Sequence, residues 1–415
     1  MNIPYGKQNI TDEDIHAVID ALKSDYLTQG PKILEFETAF SKYIGAEYAV
    51  SVSNGTAALH LCALALNIQP GDKVITTPIT FAASANCVRY CGGEVVFSDI
   101  DPETYLLDIN KVRVLLEKSP KETYKGIIPV DFAGRATNLE AYRKLADEFG
   151  LWIIEDSCHA PGGYFIDSKN QKQNCGNGNF ADLAIFSFHP VKHIATGEGG
   201  MITTNNKELY KKLLVLRTHG ITKATDSFQN SMEFASGELL ATNDQWPGWY
   251  MEMQTLGYNY RLTDFQAALG LSQLKRADEG LARRKEIAEK YSQAFKGKPF
   301  TKGQTGVVDG HAYHLYILEV ENRLGLYNHL KENGIFAQIH YIPCHLMPYY
   351  RALGWKEGDM PNAEEYYKRC ISLPMYPTLT DEEQGFVIEK KISFYETIIS
   401  NYSKIPDKQI GSYEN

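Results

Sequence analysis

Apolar residues recur along this chain at two spacings, and the switching between them predicts its elements. Ile33, Phe36, Phe40, Tyr43 and Ile44 fall at helical intervals, and residues 48–52 then form a short apolar run of the kind that makes a buried strand. Six more strand-like runs follow at 74–77, 95–98, 127–130, 151–155, 184–188 and 201–204. Helical stretches such as 139–149 separate several of them, which predicts parallel strands joined by crossover helices, with helices on both faces of the sheet. Near residue 263 the pattern changes. Thr263 and Gln266 have the spacing of a capping box and open a charge-rich helical stretch toward Phe295. Beyond it the pattern reads strand (315–320), helix (324–333), strand (336–340) and a last helix from a second capping box, Thr380 and Glu383. The expected organisation is a large α/β domain over 1–262, a small α+β domain over 263–405 and a polar tail over 406–415. Two polar stretches, 167–179 and 223–249, are longer than ordinary connections.

Composition narrows the function classes. The chain has 415 residues, enough for a large core and a buried cleft. A net charge of -9 argues against nonspecific nucleic-acid binding, which needs a basic surface. Seven scattered cysteines without a CxxC pair fit reduced thiols rather than a zinc site or a disulfide framework. No apolar run reaches membrane-spanning length, and the N-terminus lacks a basic and apolar leader, so a cytoplasmic chain without membrane attachment is expected.

Four stretches carry candidate chemistry. The first, 186–200, contains Phe186-Ser187-Phe188-His189-Pro190-Val191-Lys192 between two predicted strands and ends in glycines. A loop lysine is usually a solvated charge, but flanking aromatics exclude water and disfavour the ammonium, which lets an amine attack an aldehyde at neutral pH. In the second, Asp156 ends a predicted strand, where ligands bind in open α/β sheets, with His159 three residues on. A carboxylate there suits a protonated ring nitrogen or caps the next helix. The third, Ser53-Asn54-Gly55-Thr56-Ala57-Ala58, turns from strand to helix and offers free N–H groups to an anion. It matches neither a GxxxxGK[ST] nor a GxGxxG loop, which removes support from ATP and dinucleotide readings. The fourth, Thr80-Phe81-Ala82-Ala83-Ser84, presents Phe81 as a flat stacking surface, or as ordinary core.

Together with Leu27-Thr28-Gln29-Gly30, Gly257-Tyr258-Asn259-Tyr260-Arg261 and Ser372-Leu373-Pro374, these stretches resemble the DegT/DnrJ/EryC1/StrS sugar aminotransferases, a branch of the fold type I enzymes that use pyridoxal 5′-phosphate (PLP). The resemblance implies a mixed, mostly parallel seven-stranded sheet flanked by helices, a smaller C-terminal domain, and a homodimer with shared active sites. It implies Lys192 as the Schiff-base lysine, Asp156 at the pyridine nitrogen, Phe81 stacked on the ring and His159 at the ring hydroxyl. Thr56, Ala57 and Ser187 would hold the phosphate, joined by Asn259 of the neighbouring subunit. Tyr5, Thr28, Arg261 and His340 would contact substrate. Some family members carry histidine in place of the lysine and are dehydratases, so Lys192 favours transamination. The stretches around Lys192, Arg217-Thr218-His219-Gly220 and Ile339-His340-Tyr341-Ile342-Pro343 are similar to the pseudaminic acid subgroup. That subgroup moves the amino group of L-glutamate to C4 of UDP-2-acetamido-2,6-dideoxy-β-L-arabino-hexos-4-ulose. The 223–249 segment is longer than the family pattern. Competing expectations are another UDP- or dTDP-linked keto-sugar, a non-catalytic PLP or sugar sensor, and a Rossmann-type oxidoreductase.

Overall fold

A computed structural model describes residues 1–237, 245–298, 301–303 and 309–402. The expected tail, 406–415, and part of the long 223–249 segment lie outside them. Seven strands form the central sheet: β1 (Tyr48–Val52), β2 (Lys73–Thr76), β3 (Glu94–Phe97), β4 (Tyr124–Ile128), β5 (Trp152–Asp156), β6 (Leu183–Ser187) and β7 (Gly200–Thr204). Their order is β1-β7-β6-β5-β4-β2-β3, and only β7 runs antiparallel to its neighbours. The apolar runs predict its parallel strands, and the family resemblance implies the mixed, mostly parallel sheet of seven. Each of those runs lies within two residues of a strand, apart from a few end residues, because a strand buried on both faces needs uninterrupted apolar side chains.

Helices cover the sheet. The helix α1 (Gly55–Ala65) is capped by Asn54, whose side chain accepts from the Ala57 N–H, and nearly all its residues are buried. The helix α2 (Ala83–Tyr90) follows β2. The capping box of Thr263 with Gln266 is present and opens α3 (Asp264–Leu274). The long helix expected to run on to Phe295 is instead two, because the chain breaks at Lys275 and Arg276 before α4 (Ala277–Phe295) begins. Thr380 and Glu383 exchange their two capping bonds at the start of α5 (Asp381–Tyr402).

The C-terminal part has its own apolar core, in which Ile287, Tyr291, Leu318, Leu330 and Val387 pack together with Ile3 from the N-terminus. Its sheet joins β8 (Thr301–Gly303), β9 (Tyr316–Val320) and β10 (Cys370–Leu373), all antiparallel. The strand expected over 336–340 is shorter. Ile335–Phe336 pairs in parallel with Ile3–Pro4, Gln338 makes a single antiparallel bridge to Ser372, and His340 and Tyr341 then reach the cavity. Within this part a buried Arg284 donates to the carbonyls of Tyr313, His314 and Met375.

Candidate active site

The carboxyl ends of β5 and β6, the amino ends of α1 and α2 and the turn after Ile335–Phe336 enclose a cavity of about 740 Å³. A parallel sheet makes such a crevice at its strand ends. Tyr5, Thr56, Ala57, Phe81, Asp156, His159, Ser187, Lys192 and His340 all line it. Strand alternation selects among the two acids that end β5. Asp156 faces the cavity, whereas Glu155 turns to the other side, where it accepts from the Gly176 N–H and lies against Asp131. Burial pushes both of those carboxyls up, so the Asp131 and Glu155 pair holds a proton away from the cavity.

Asp156 is 5% exposed and closely held. Its Oδ2 accepts from Ser84 Oγ at 2.6 Å and its Oδ1 from the Cys158 N–H at 3.2 Å. Lys192 stands in a loop closed by two bonds, Phe188 N–H to the Gly199 carbonyl and Thr196 N–H to the Phe188 carbonyl. Gly199 is required there, since a Cβ would sit 2.2 Å from Thr196 Oγ1. Burial lowers the Lys192 ammonium from its ordinary value, while Cys158 and Asp156 pull the other way. The balance favours a more reactive amine than an exposed lysine offers.

At one end of the cavity, Asn54 takes the Ala57 N–H. The first-turn N–H groups of Gly55 and Thr56 have no intrahelical acceptor and point toward any anion bound there. Ser187, at the end of β6, lies against this turn: a Cβ on Gly55 would stand 3.1 Å from that of Ser187. Phe81 is 64% exposed although it lines the cavity, and its ring is tilted against that of Tyr341 with centres 6.4 Å apart.

His159 is fixed in one tautomer. Its Nδ1 accepts from the Ala133 N–H at 3.2 Å, so Nε2 carries the hydrogen, 3.3 Å from the Tyr341 hydroxyl. Burial, then the charge of Lys192, holds His159 well below the usual histidine range, so the ring is neutral. His314 is tilted against it with ring centres 4.2 Å apart. His340 bonds Ser372 Oγ at 2.9 Å, and burial pushes it down to about 3.

Thr28, Asn259 and Arg261 do not line this cavity. Arg261 Nη1 instead donates to Gln29 Oε1 at 3.2 Å, beside the bridge between Thr28 and Thr263. Tyr258 to Tyr260 pair with the segment from Leu216 to His219 as extended chain, so neighbouring side chains alternate. Tyr260 therefore faces the cavity while Asn259 and Arg261 face outward.

Sequence reasoning missed several lining groups. Ser84 follows Phe81 by three residues, and a hydroxyl at that helical spacing from an aromatic is the available signal. Tyr341, His314 and Tyr90 come from distant segments, and no local pattern announces them.

The fit to PLP is good on these observations: a neutralisable lysine, a fixed carboxylate, an exposed aromatic ring and a helix start for a phosphate share one cavity. Comparison with known proteins agrees. Residues 8–391 match the DegT/DnrJ/EryC1/StrS aminotransferase family. A spore coat polysaccharide biosynthesis protein, SpsC of Bacillus subtilis, is 39% identical over 93% of this chain and 95% of its own. A UDP-4-amino-4,6-dideoxy-N-acetyl-beta-L-altrosamine transaminase of Campylobacter jejuni is 36% identical over 96% and 99%. The PLP form of the sugar aminotransferase Spr1654 from Streptococcus pneumoniae superposes with a TM-score of 0.82 at 30% identity, over 96% of this chain and 100% of that one. The chain belongs to the DegT/DnrJ/EryC1/StrS aminotransferase family and is a PLP-dependent sugar aminotransferase.

Proposed function

We propose that this enzyme moves the amino group of L-glutamate to C4 of a UDP-linked 4-keto-6-deoxy-hexose, with UDP-2-acetamido-2,6-dideoxy-β-L-arabino-hexos-4-ulose as its substrate in pseudaminic acid biosynthesis. The observation that carries the chemistry is the convergence of Lys192, Asp156 and the exposed Phe81 on one cavity. The sugar rests on the Campylobacter jejuni relative, alike over 96% of this chain, and on the motifs around Lys192 and His340.

PLP, when bound, supplies an aldehyde that takes up amines and a ring that withdraws electrons from the carbon next to nitrogen. Lys192 Nζ would hold it and would move a proton between the reacting carbons. Such acid-base work contributes on the order of 10² to 10⁴-fold. Asp156 would keep the ring nitrogen protonated, Phe81 would cover one ring face, and neutral His159 would offer Nε2–H to the ring hydroxyl. Gly55, Thr56 and Ser187 would receive the phosphate at the start of α1, while Ala57, expected to join them, gives its N–H to Asn54. Tyr5 and His340, tilted together with ring centres 5.3 Å apart, border the substrate side.

Thr28, Asn259 and Arg261 act on a second copy of the chain. Their outward placement beside Tyr260 supports a homodimer in which each subunit completes the other's site. Arg261 suits the substrate's diphosphate, because a guanidinium pairs with phosphate oxygens in a fixed fork.

The test is product analysis after incubation with glutamate and a panel of UDP- and dTDP-linked 4-keto-sugars. Amination of the L-arabino UDP substrate in preference to the others supports the reading. Preference for another panel member reassigns the sugar.

A further inference from the structure

Asp156 is oriented by a chain of two hydroxyls that no comparison assigns. Ser84 and Thr80 are 0% and 2% exposed. Thr80 Oγ1 lies 2.8 Å from Ser84 Oγ, and Ser84 Oγ lies 2.6 Å from Asp156 Oδ2. The direction of the chain follows from the hydrogens. An ionised carboxylate only accepts, so the single hydroxyl hydrogen of Ser84 goes to Asp156. Ser84 must then accept from Thr80, whose own hydrogen completes the relay. The alternative acceptor for Ser84, the Phe81 carbonyl, is 3.4 Å away and uncharged, and the shorter bond to a charged oxygen is the stronger one.

The other carboxylate oxygen is held too, by the Cys158 N–H at 3.2 Å. With one donor on each oxygen, Asp156 cannot rotate without losing a buried bond. Thr80, Phe81, Ser84 and Asp156 all line the same cavity. The five residues from Thr80 to Ser84 therefore carry both the aromatic face and the hydroxyl that aims the carboxylate, in one turn that ends in the first turn of α2.

We propose that Ser84 is a positioning residue: its hydroxyl, itself supplied by Thr80, locks Asp156 in the orientation that meets the ring nitrogen of the cofactor. This rests on the reading of Asp156 as the ring-nitrogen partner. Removing a donor from a buried charged acceptor weakens whatever that acceptor holds, and the expected loss of cofactor affinity in Ser84→Ala is about tenfold. Thr80→Val leaves Ser84 in place without its own donor, and a loss of about twofold to threefold is expected.

The experiment titrates cofactor-free protein with PLP and with an analogue in which carbon replaces the ring nitrogen, following bound ligand by absorbance. Wild type, Ser84→Ala, Ser84→Cys, Thr80→Val and Asp156→Ala are compared. Ser84→Cys keeps the volume and serves if the alanine protein does not fold. The proposal predicts that the Ser84 variants lose affinity for PLP and keep their affinity for the analogue, which has no nitrogen to hold. Equal losses for both ligands would mean a general packing role and would overturn it, as would no loss for either. If wild type and Asp156→Ala bind PLP and the analogue in the same ratio, the Asp156 reading itself fails. If that ratio depends on Asp156 but not on Ser84, only the positioning role falls.

Discussion

Two regions around Tyr260 are built from neighbouring residues yet face different ways. Tyr260 joins Lys192, Asp156 and Phe81 on the cavity wall, while Asn259 and Arg261, on either side of it, face outward with Thr28 and Gln29. The first region gathers a lysine with a lowered ammonium, a carboxylate held on both oxygens, and a helix start with free N–H groups. The second has polar and charged side chains of the kind that hold an anion, and none of them lines that cavity. The extended backbone fixes the separation, because adjacent side chains of an extended strand cannot share a face, and the proposed second copy is what the outward set would serve.

The largest expected effect is on the inward region. Lys192→Ala should lower turnover with glutamate and the keto-sugar by at least about 10³-fold, because both covalent attachment and proton movement depend on Nζ. A variant with near-normal steady-state rates would break the account of that wall.

The next prediction joins the two regions. Lys192→Ala and Arg261→Ala are each expected to be inactive or nearly so, yet a mixture refolded or co-expressed together should recover activity. In a mixed dimer one site draws its lysine from the Arg261→Ala copy and its arginine from the Lys192→Ala copy, so about a quarter of the wild-type sites are restored under random pairing. A mixture no more active than its parts would place the two residues in the same subunit's site, contrary to the separation described above.

A smaller effect is expected at Phe81. Its ring is 64% exposed in the cofactor-free chain, so Phe81→Ala should leave the unfolding midpoint of that form nearly unchanged. PLP affinity should fall severalfold to about tenfold, the range of an aromatic pair. A large stability loss without an affinity loss would assign Phe81 to the core instead.

The smallest effect concerns pH. His340 ionises at about 3 in the folded chain against the ordinary 6.5, because it is buried. As pH falls, the unfolded chain takes the proton first, so the stability associated with this residue is present above about 6.5 and is lost progressively down to about 3. In thermal melts across that window, His340→Gln should reduce the slope by about one proton's contribution. An unchanged slope would show that His340 titrates normally.

Much of the sheet was legible because its strands are buried on both faces and therefore read as apolar runs, and Asp156 and Lys192 were legible because each adjoins the end of such a run. The small domain was less so. The run at 336–340 suggested a full strand, but after Phe336 the chain leaves its partner to carry His340 and Tyr341 into the cavity. The strand β10 is four residues long and wholly buried directly after a helix, too short for any period to mark it. The break between α3 and α4 was hidden because Lys275 and Arg276 are good helix formers, and the tertiary bond from Arg276 to Asp14 belongs to a contact no local window contains. Tyr341 meets His159 across 182 positions of sequence, and such partners follow from the fold rather than from a motif.

The central claim is that Lys192 holds the cofactor. Reduction of the PLP-loaded protein with borohydride, followed by proteolysis and mass spectrometry, tests it directly. The account predicts a pyridoxyl phosphate adduct on the peptide containing Lys192 and on no other lysine. An adduct on a different lysine, or a loaded protein that yields none, would contradict it.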